Sequence, residues 1–349
     1  MLIKNKNIVV TGGSGFIGSH FIDSIKKLGA KIINLDNLSY AANKGKKDKI
    51  DKNYKFIKVN INNKKKLNEI FDYFKPHIVI NFAAETHVDR SIENPQVFLK
   101  TNILGVGNLL EVSLNYWNKK RAKKDFIFLQ VSTDEVYGSL NYLERAKKEN
   151  DPFNPSSPYS SSKASADLIV KSWHKTYGLP CITVYPTNNF GPRQYPEKFI
   201  PLMIFKTLLK EKLTIYGTGK NVREWIYVKD CIEGIISLIV KGKIGESYNI
   251  GSGEQITNIH VARLILEKLN NKKINSLDHI KFVSDRPAHD LRYNVNSKKI
   301  QIHTNWKPKF TFEEAMSITI NWYLKNQQWL KRHQSSYGIL NRIGKRITY

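Results

Sequence analysis

Sulfur and negative charge are what this chain has least of. Its 349 residues include 2 cysteines, Cys181 and Cys231. Two isolated thiols build neither a disulfide framework nor a thiolate metal site, so a reducing compartment and no bound metal are expected. Apolar residues never run on for the ~20 positions that a membrane-crossing helix needs, so no membrane partner is expected. The N-terminus, Met1-Leu2-Ile3-Lys4-Asn5-Lys6, leads straight toward a strand. That start does not resemble a signal peptide, and a cytoplasmic location is the default. Acids are scarce: 30 Asp and Glu stand against 56 Lys and Arg, a formal charge of +26.

Such an excess suggests a nucleic-acid binder. The lysines, however, are spread along most of the chain. The clusters Lys44-Gly45-Lys46-Lys47 and Lys119-Lys120-Arg121-Ala122-Lys123-Lys124 lack the interleaved aromatics of a base-stacking surface. No nucleic-acid partner is therefore expected. A field that favours anionic ligands such as nucleotide diphosphates is the milder consequence. With 41% apolar and 11% aromatic residues the chain can build a core. Its length suits one large or two modest domains.

Strands and helices alternate through the first half. Lys6-Asn7-Ile8-Val9-Val10 reads as a short strand. Thr11-Gly12-Gly13-Ser14-Gly15-Phe16-Ile17-Gly18 follows, and Ser19 to Leu28 carries Phe21, Ile22, Ile25 and Leu28 at helical spacing. Strand, glycine-rich turn and helix form the context of a dinucleotide fingerprint. Gly12 permits the tight turn, Gly15 admits a pyrophosphate to the backbone, and Gly18 lets helix and strand pack closely. The helix N-terminus offers N–H groups to the phosphates. Lys31 to Leu35 is a second strand ending at Asp36, whose carboxylate can accept hydrogen bonds from ribose hydroxyls, favouring NAD over NADP. Further strands are read at Tyr54–Val59, at His77–Phe82 (ending in the small residues Ala83 and Ala84) and at Phe126–Val131. Helices are read at Lys64–Phe74 and Pro95–Trp117. The pattern predicts a Rossmann-type doubly wound parallel α/β sheet.

The strand Phe126–Val131 runs into Ser132-Thr133-Asp134-Glu135-Val136-Tyr137-Gly138. Parallel sheets present reactive groups at strand carboxyl ends. Two adjacent acids there can be split by their surroundings into a proton donor and a proton acceptor. After a Pro-, Ser- and Asn-rich loop, Tyr159 and Lys163 stand four apart at the start of a helix to Tyr177, on one face. A tyrosine beside an ammonium and a nicotinamide cation becomes a usable phenolate base.

Together these motifs resemble the extended short-chain dehydrogenases/reductases that act on nucleotide sugars. The paired acids narrow the resemblance to the 4,6-dehydratases, and among these to the branch that works on dTDP-glucose. Supporting stretches are Asn81–Ser91, Thr187–Pro192, Tyr195–Pro201, Gly219–Val228 and Asp285–Asp290, so the resemblance covers roughly residues 7 to 325. It implies C4 oxidation by Tyr159, Lys163 and Thr133, with Glu135 taking the C5 proton and Asp134 protonating the departing C6 hydroxyl. Hydride then returns to C6, so tightly held NAD is not consumed. The resemblance also implies cofactor contacts from Phe16, Ile17, Asn37, Leu38, Ser39, Asn60, Ile61, Thr101 and Asn189. Substrate contacts are implied for Thr86, Asn188, Lys198, Phe199, Thr214, Tyr216, Arg223, Asn258, Arg286 and His289. Of these, Arg223 and Arg286 can grip a diphosphate through a planar fork.

Three departures stand out. Asn60 replaces an acid that would meet the adenine amine, although it still offers a carbonyl. Thr86 replaces a serine and keeps the hydroxyl. Ala288 replaces a glycine near the nucleotide. The expected division is an NAD-binding part over 1–190 that carries the catalytic residues, a mainly substrate-binding part over 191–330 with some chain returning to the sheet, and a basic tail over 331–349. A homodimer is expected through the helices Pro95–Trp117 and Tyr159–Tyr177. The same chemistry on a UDP-, CDP- or GDP-hexose stays open. So does a 4-epimerase or decarboxylase, which would leave Asp134 and Glu135 without a task.

Overall fold

A computed structural model describes residues 3–43, 51–119, 125–270 and 276–334. Most of the two lysine clusters and of the basic tail lies outside the described residues. Seven strands form one all-parallel sheet, the Rossmann-type doubly wound fold. They are β1 (Asn7–Thr11), β2 (Lys31–Asp36), β3 (Tyr54–Lys58), β4 (Ile78–Asn81), β5 (Ile127–Val131), β6 (Cys181–Pro186) and a late arrival from Ser247–Ile250. In space the order is Ser247–Ile250, β6, β5, β4, β1, β2, β3. The strand order reverses at β1, and this is where open α/β sheets bind ligands.

Continuous apolar runs form the central strands because helices cover both faces of the sheet. Ile8, Val10, Ile32, Ile78, Ile80 and Leu129 belong to one apolar cluster. Val9, Ile33, Leu35, Val79 and Phe128 belong to another. This two-residue alternation is the pleat of β1, β2, β4 and β5 seen from both sides. A buried polar ladder crosses the strands between the clusters. Thr11 Oγ1 donates to Asn81 Oδ1 at 2.5 Å, and Asn81 Nδ2 donates to Gln130 Oε1 at 2.9 Å.

The chain leaves this sheet after β6 and builds two small sheets above its carboxyl edge. One contains β7 (Asn188–Phe190), β9 (Val222–Tyr227) and β11 (Gln255–Thr257); the other pairs β8 (Leu213–Tyr216) with β12 (Ile280–Val283). Between them, Ser247–Ile250, here β10, pairs parallel with β6. The first apolar cluster runs from the sheet into this region through Trp225, Ile226, Val228 and Ile232, so the two parts share one core.

Two elements differ from their sequence-based expectation. The helix expected over Pro95–Trp117 runs to Lys119 and contains a π-helical turn at Leu99–Leu104, preceded by a separate helix at Val88–Glu93. The wider turn brings Thr101 to the cavity wall and Asn102 to a buried junction, where Asn102 donates to Ser162 Oγ at 2.8 Å. By length and composition Pro95–Lys119 could cross a membrane, but it packs on neighbouring helices and 44% of its apolar window is buried. The glycine-loop helix begins at Phe16 rather than Ser19.

Local capping sets the catalytic elements. Helix Pro158–Tyr177 starts with a reciprocal Ser157–Ser160 capping box and Pro158 in its first turn, and it ends at Gly178 with φ 73°. After β5 a single 3-10 turn, Asp134–Tyr137, is capped by Thr133 and closed by Gly138. Gly138 has φ +76°, and a Cβ there would sit 2.0 Å from the Asn154 carbonyl oxygen. Replacing Gly138 with Ala should lower unfolding free energy by at least about 2–3 kcal/mol, since a left-handed backbone and a backbone clash are imposed together. Urea unfolding of Gly138→Ala against wild type checks this.

Candidate active site

Both halves of the candidate site grow from strand ends on the same edge of the sheet. At the end of β1, Gly12 has φ +69° and lies so close to β4 that a Cβ would meet Ala83 N at 2.6 Å. A Cβ on Gly18 would lie 2.4 Å from the Gly12 carbonyl oxygen. Gly15 caps helix Phe16–Lys27 with no side-chain bond, so its first N–H groups keep no internal partner and are left for a ligand. Asp36 at the end of β2 is held by two backbone donors, Ser14 N to Oδ2 at 2.9 Å and Leu38 N to Oδ1 at 2.7 Å. Burial raises its pKa, and these two bonds draw it back. A side-chain-free cradle, an uncapped helix N-terminus and a fixed carboxylate fit a dinucleotide's pyrophosphate and ribose.

The cavity above this edge has a volume of about 450 Å³. Gly12, Gly15, Phe16, Ile17, Gly18, Asp36, Asn37, Ser39, Asn60, Ile61, Ala83, Ala84, Thr101 and Asn189 line it on the dinucleotide side. Thr133, Glu135, Tyr159 and Lys163 line its middle. Thr86, Asn188, Lys198, Phe199, Thr214, Tyr216, Arg223, Asn258, Arg286 and His289 line the far side. Two expected site residues do not. Leu38 is turned away in a left-handed conformation with φ 56° and contributes only its N–H to Asp36. Asp134 is 2% exposed and lies behind Thr133, whose hydroxyl donates to Asp134 Oδ1 at 3.3 Å. Its Oδ2 is buried without a partner.

The surroundings push the two acids apart. Burial, then the charges of Glu135 and Glu224, hold the Asp134 carboxyl well above the usual carboxylate range. Burial raises Glu135 too, but Arg286, Arg223 and Lys198 all pull it down. Both acids are raised, and Asp134 is raised the further of the two.

Tyr159 and Lys163 share the cavity wall without a bond between them. The Lys163 ammonium donates to the Val131 carbonyl at 2.7 Å rather than to the phenol. Burial, then the charge of Glu135, push Tyr159 well above its ordinary value, with the Thr133 hydroxyl pulling the other way. Burial and the neighbouring acids thus favour the protonated phenol in the described residues alone. Asn60 also differs from expectation. Its side-chain carbonyl already accepts from Asn62 N at 2.9 Å, which leaves it less free for an adenine.

On the far side the arginines are only partly committed. Arg286 Nη1 pairs with Asp89 Oδ1 at 3.2 Å, and its buried Nε has no partner. Asp89 is also held by the Tyr216 hydroxyl at 2.9 Å. Arg223 spends donors on the carbonyls of Val222 and Asp290, both at 2.9 Å, and stacks 4.4 Å from the Tyr293 ring centre. That leaves it a narrower fork than the free guanidinium expected from the sequence. Lys198 donates to the Thr86 carbonyl at 2.7 Å. Asn188 Oδ1 and Asn189 Oδ1 are buried without partners, as a site awaiting a polar ligand would have them. Ala288 takes a left-handed conformation with φ 51°, the geometry that a glycine would adopt without strain.

One cluster on the wall was not expected. Arg90 pairs with Glu197 at 3.1 Å, Tyr40 donates to Glu197 at 2.7 Å, and the Arg90 guanidinium lies 3.7 Å from the Tyr40 ring centre. Glu85 joins it on the cavity wall. Arg90 lies within Asn81–Ser91 and Glu197 within Tyr195–Pro201, and that position was the available signal for them.

A doubly wound sheet with a Tyr-Lys pair and two unequal acids at one strand end defines a short-chain dehydrogenase/reductase site equipped for elimination. A family profile described as GDP-mannose 4,6 dehydratase matches residues 9–319, and the chain belongs to this family of nucleotide-sugar 4,6-dehydratases. It is 43% identical over 332 residues to the dTDP-glucose 4,6-dehydratase of Haemophilus influenzae, covering 92% of this chain and 98% of that protein. The crystal structure of dTDP-glucose 4,6-dehydratase from Bacillus anthracis in complex with NAD is similar at TM-score 0.84 and 41% identity, covering 94% of this chain and 99% of that one. The Streptomyces venezuelae dTDP-glucose 4,6-dehydratase, solved with NAD and dTDP bound, is similar at TM-score 0.86 and 35% identity, covering 94% and 99%.

Burial lowers His87 to about 4, and its Nδ1 has no partner. It is neutral in the native state, whereas the unfolded chain takes up this proton near pH 6.5. Its contribution to stability is therefore present above the unfolded value and is lost as pH falls from 6.5 toward 4, by up to about 3 kcal/mol. His87→Gln should lose less stability than wild type over that range, as read by urea unfolding at pH 7, 5.5 and 4.5.

Proposed function

We propose that this chain is an NAD-dependent hydro-lyase that converts dTDP-glucose to dTDP-4-keto-6-deoxyglucose in deoxysugar biosynthesis. The observation that carries the reading is the split between Asp134 and Glu135 at the end of β5. An epimerase that only removes and returns hydride at C4 has no use for two adjacent acids of unequal strength. Residues 1–190 then supply the NAD side and the catalytic groups, and 191–330 supply mainly the substrate side. We place the enzyme in the cytoplasm.

Held by the Gly12–Gly18 loop, Asp36, Ala83 and Ala84, NAD would supply a hydride acceptor for C4 and the hydride donor for C6. The Lys163 ammonium, on the same wall as Tyr159, favours the phenolate together with the nicotinamide cation. Tyr159 Oη, as phenolate, takes the proton of the 4-hydroxyl while Thr133 hydrogen-bonds that oxygen. Glu135 removes the C5 proton, made acidic by the neighbouring ketone, and Asp134 protonates the departing C6 hydroxyl as water. Glu135 then gives its proton back at C5. Arg286 and Arg223 hold the diphosphate, and Asn188, Lys198 and Thr86 orient the sugar. At the end of a turnover Tyr159 holds one proton too many and Asp134 one too few. Thr133, hydrogen-bonded to Asp134 and acting on the phenol, lies on the short path that resets both.

The rate should fall as pH drops through the pKa of Tyr159 in the NAD-bound site or the raised pKa of Glu135, since both groups must be ionised. It should fall again as pH rises through that of Asp134, which must be protonated. Asp134→Asn and Glu135→Gln should each lower kcat by about 10²–10⁴-fold, with the alkaline limb lost in Asp134→Asn. The measurement is alkali-induced absorbance of the 4-keto product from a panel of dTDP-, UDP-, CDP- and GDP-glucose. Near wild-type rates in either variant would refute the acid and base roles. Preference for another nucleotide would move the base assignment and leave the chemistry intact.

The protein is further read as a homodimer. Helices Gly105–Lys119 and Pro158–Tyr177 pack together and leave Leu104, just before the first, and Leu168, on the second, more than half exposed. Leu104→Glu with Leu168→Glu should reduce the mass in light scattering from twice 40.3 kDa to that of one chain.

A further inference from the structure

Lys163 is a buried ammonium whose one polar contact among the described residues is a neutral carbonyl, that of Val131. A cation taken out of water favours losing its proton unless a negative charge stands nearby. The carboxyl of Asp167 fills that place. It lies one helical turn after Lys163 on helix Pro158–Tyr177, is 3% exposed, and has no role in the chemistry described above. Ser132 Oγ, from the end of β5, donates to its Oδ2, while Oδ1 has no partner. No ion pair within 4 Å joins it to Lys163, so the two act on each other through space inside the protein.

We propose that Asp167 is a positioning residue for this reaction: it keeps Lys163 protonated from behind and, through Ser132, ties the Tyr159–Lys163 helix to the strand end that carries Thr133. The inference rests on the dehydratase reading for its catalytic consequence, but not for the pairing itself. Lys163 is the cation that draws the Asp167 proton off, against burial that holds the carboxyl up near 7. The phenols of Tyr159, Tyr137 and Tyr185 face the same carboxylate from the helix, the 3-10 turn and β6, and its charge raises all three. On its outer side Asp167 borders a second cavity of about 410 Å³ with Glu149, Asp151, Lys171, His174 and Glu246. The acids there are already engaged: Asp151 with Arg145, Glu246 with Lys299, and Glu149 with Asn249 N. Asp167 is left to serve Lys163.

Removing the charge has two opposing effects on Tyr159, and their difference makes the proposal testable. If Asp167 only adds negative potential, Asp167→Asn lowers the Tyr159 pKa and moves the acid limb of kcat to lower pH. If Asp167 keeps Lys163 charged, the lysine turns neutral in Asp167→Asn, the phenolate loses its partner, and the limb moves to higher pH. We expect the second, with partial return in Asp167→Glu. The charge itself is read by NMR of the ¹⁵N-labelled Lys163 Nζ, with the signal assigned through Lys163→Met. Lys163 should titrate at lower pH in Asp167→Asn than in wild type, by about one unit or more. An unchanged Lys163 titration, or an acid limb that moves down, overturns the proposal. Should Asp167→Asn not fold, the wild-type spectrum decides: a neutral Lys163 amine at pH 7 overturns it, and an ammonium that loses its proton only at pH values where Asp167 is ionised supports it. The Nζ measurement needs no substrate, so it stands even if the nucleotide-sugar reading fails.

Discussion

Desolvation at the carboxyl end of β5 is the constraint on which the chemistry of this protein depends. Thr133, Asp134, Glu135, Tyr159, Lys163 and Asp167 are gathered where water is largely excluded. In water Asp134, Glu135 and Asp167 would be three nearly equal carboxylates and Tyr159 an ordinary phenol. Inside, burial raises every carboxyl and phenol and lowers the lysine, and the few charges within reach decide which group yields. Three cations restrain the rise of Glu135, whereas two acids add to that of Asp134, so adjacent residues are raised unequally.

This concentration of unsatisfied groups needs a rigid frame. The parallel sheet provides it through the polar ladder from Thr11 to Gln130, which ties β1, β4 and β5 together beneath the site. A second tie runs from Tyr137 in the 3-10 turn to Asn249 in β10 at 3.0 Å. The catalytic turn is thus braced against the central strands on one side and an edge strand on the other. Unpartnered atoms such as Asp134 Oδ2 and Arg286 Nε persist because the surrounding packing over-determines their positions.

Much of the fold was legible in the sequence because its determinants are local. A glycine loop between a strand and a helix, Asp36 at a strand end, and apolar runs alternating with helical spacing each declare themselves within about thirty residues. The site lining was legible to the extent that motifs marked it. Features set by distant contacts were not. The Arg90–Glu197 pair joins residues 107 positions apart. The π-turn at Leu99–Leu104 depends on what packs around it. Asp134 turning behind Thr133, and Lys163 bonding to Val131 instead of Tyr159, are outcomes of three-dimensional crowding that spacing alone does not encode. Asn60 was judged by its chemical type, and the local bond to Asn62 N changed what that type can offer.

The route of the chain after β6 has a mechanical consequence. The strands β6 and β10 lie side by side in the main sheet, and the segment holding Lys198, Thr214, Tyr216 and Arg223 leaves from one and returns through the other. Both of its ends are therefore clamped at a single place, like a handle fixed at two adjacent bolts. The chain that follows then adds β11 to β9 and β12 to β8, so the handle is also lashed down along its length by residues that come after it.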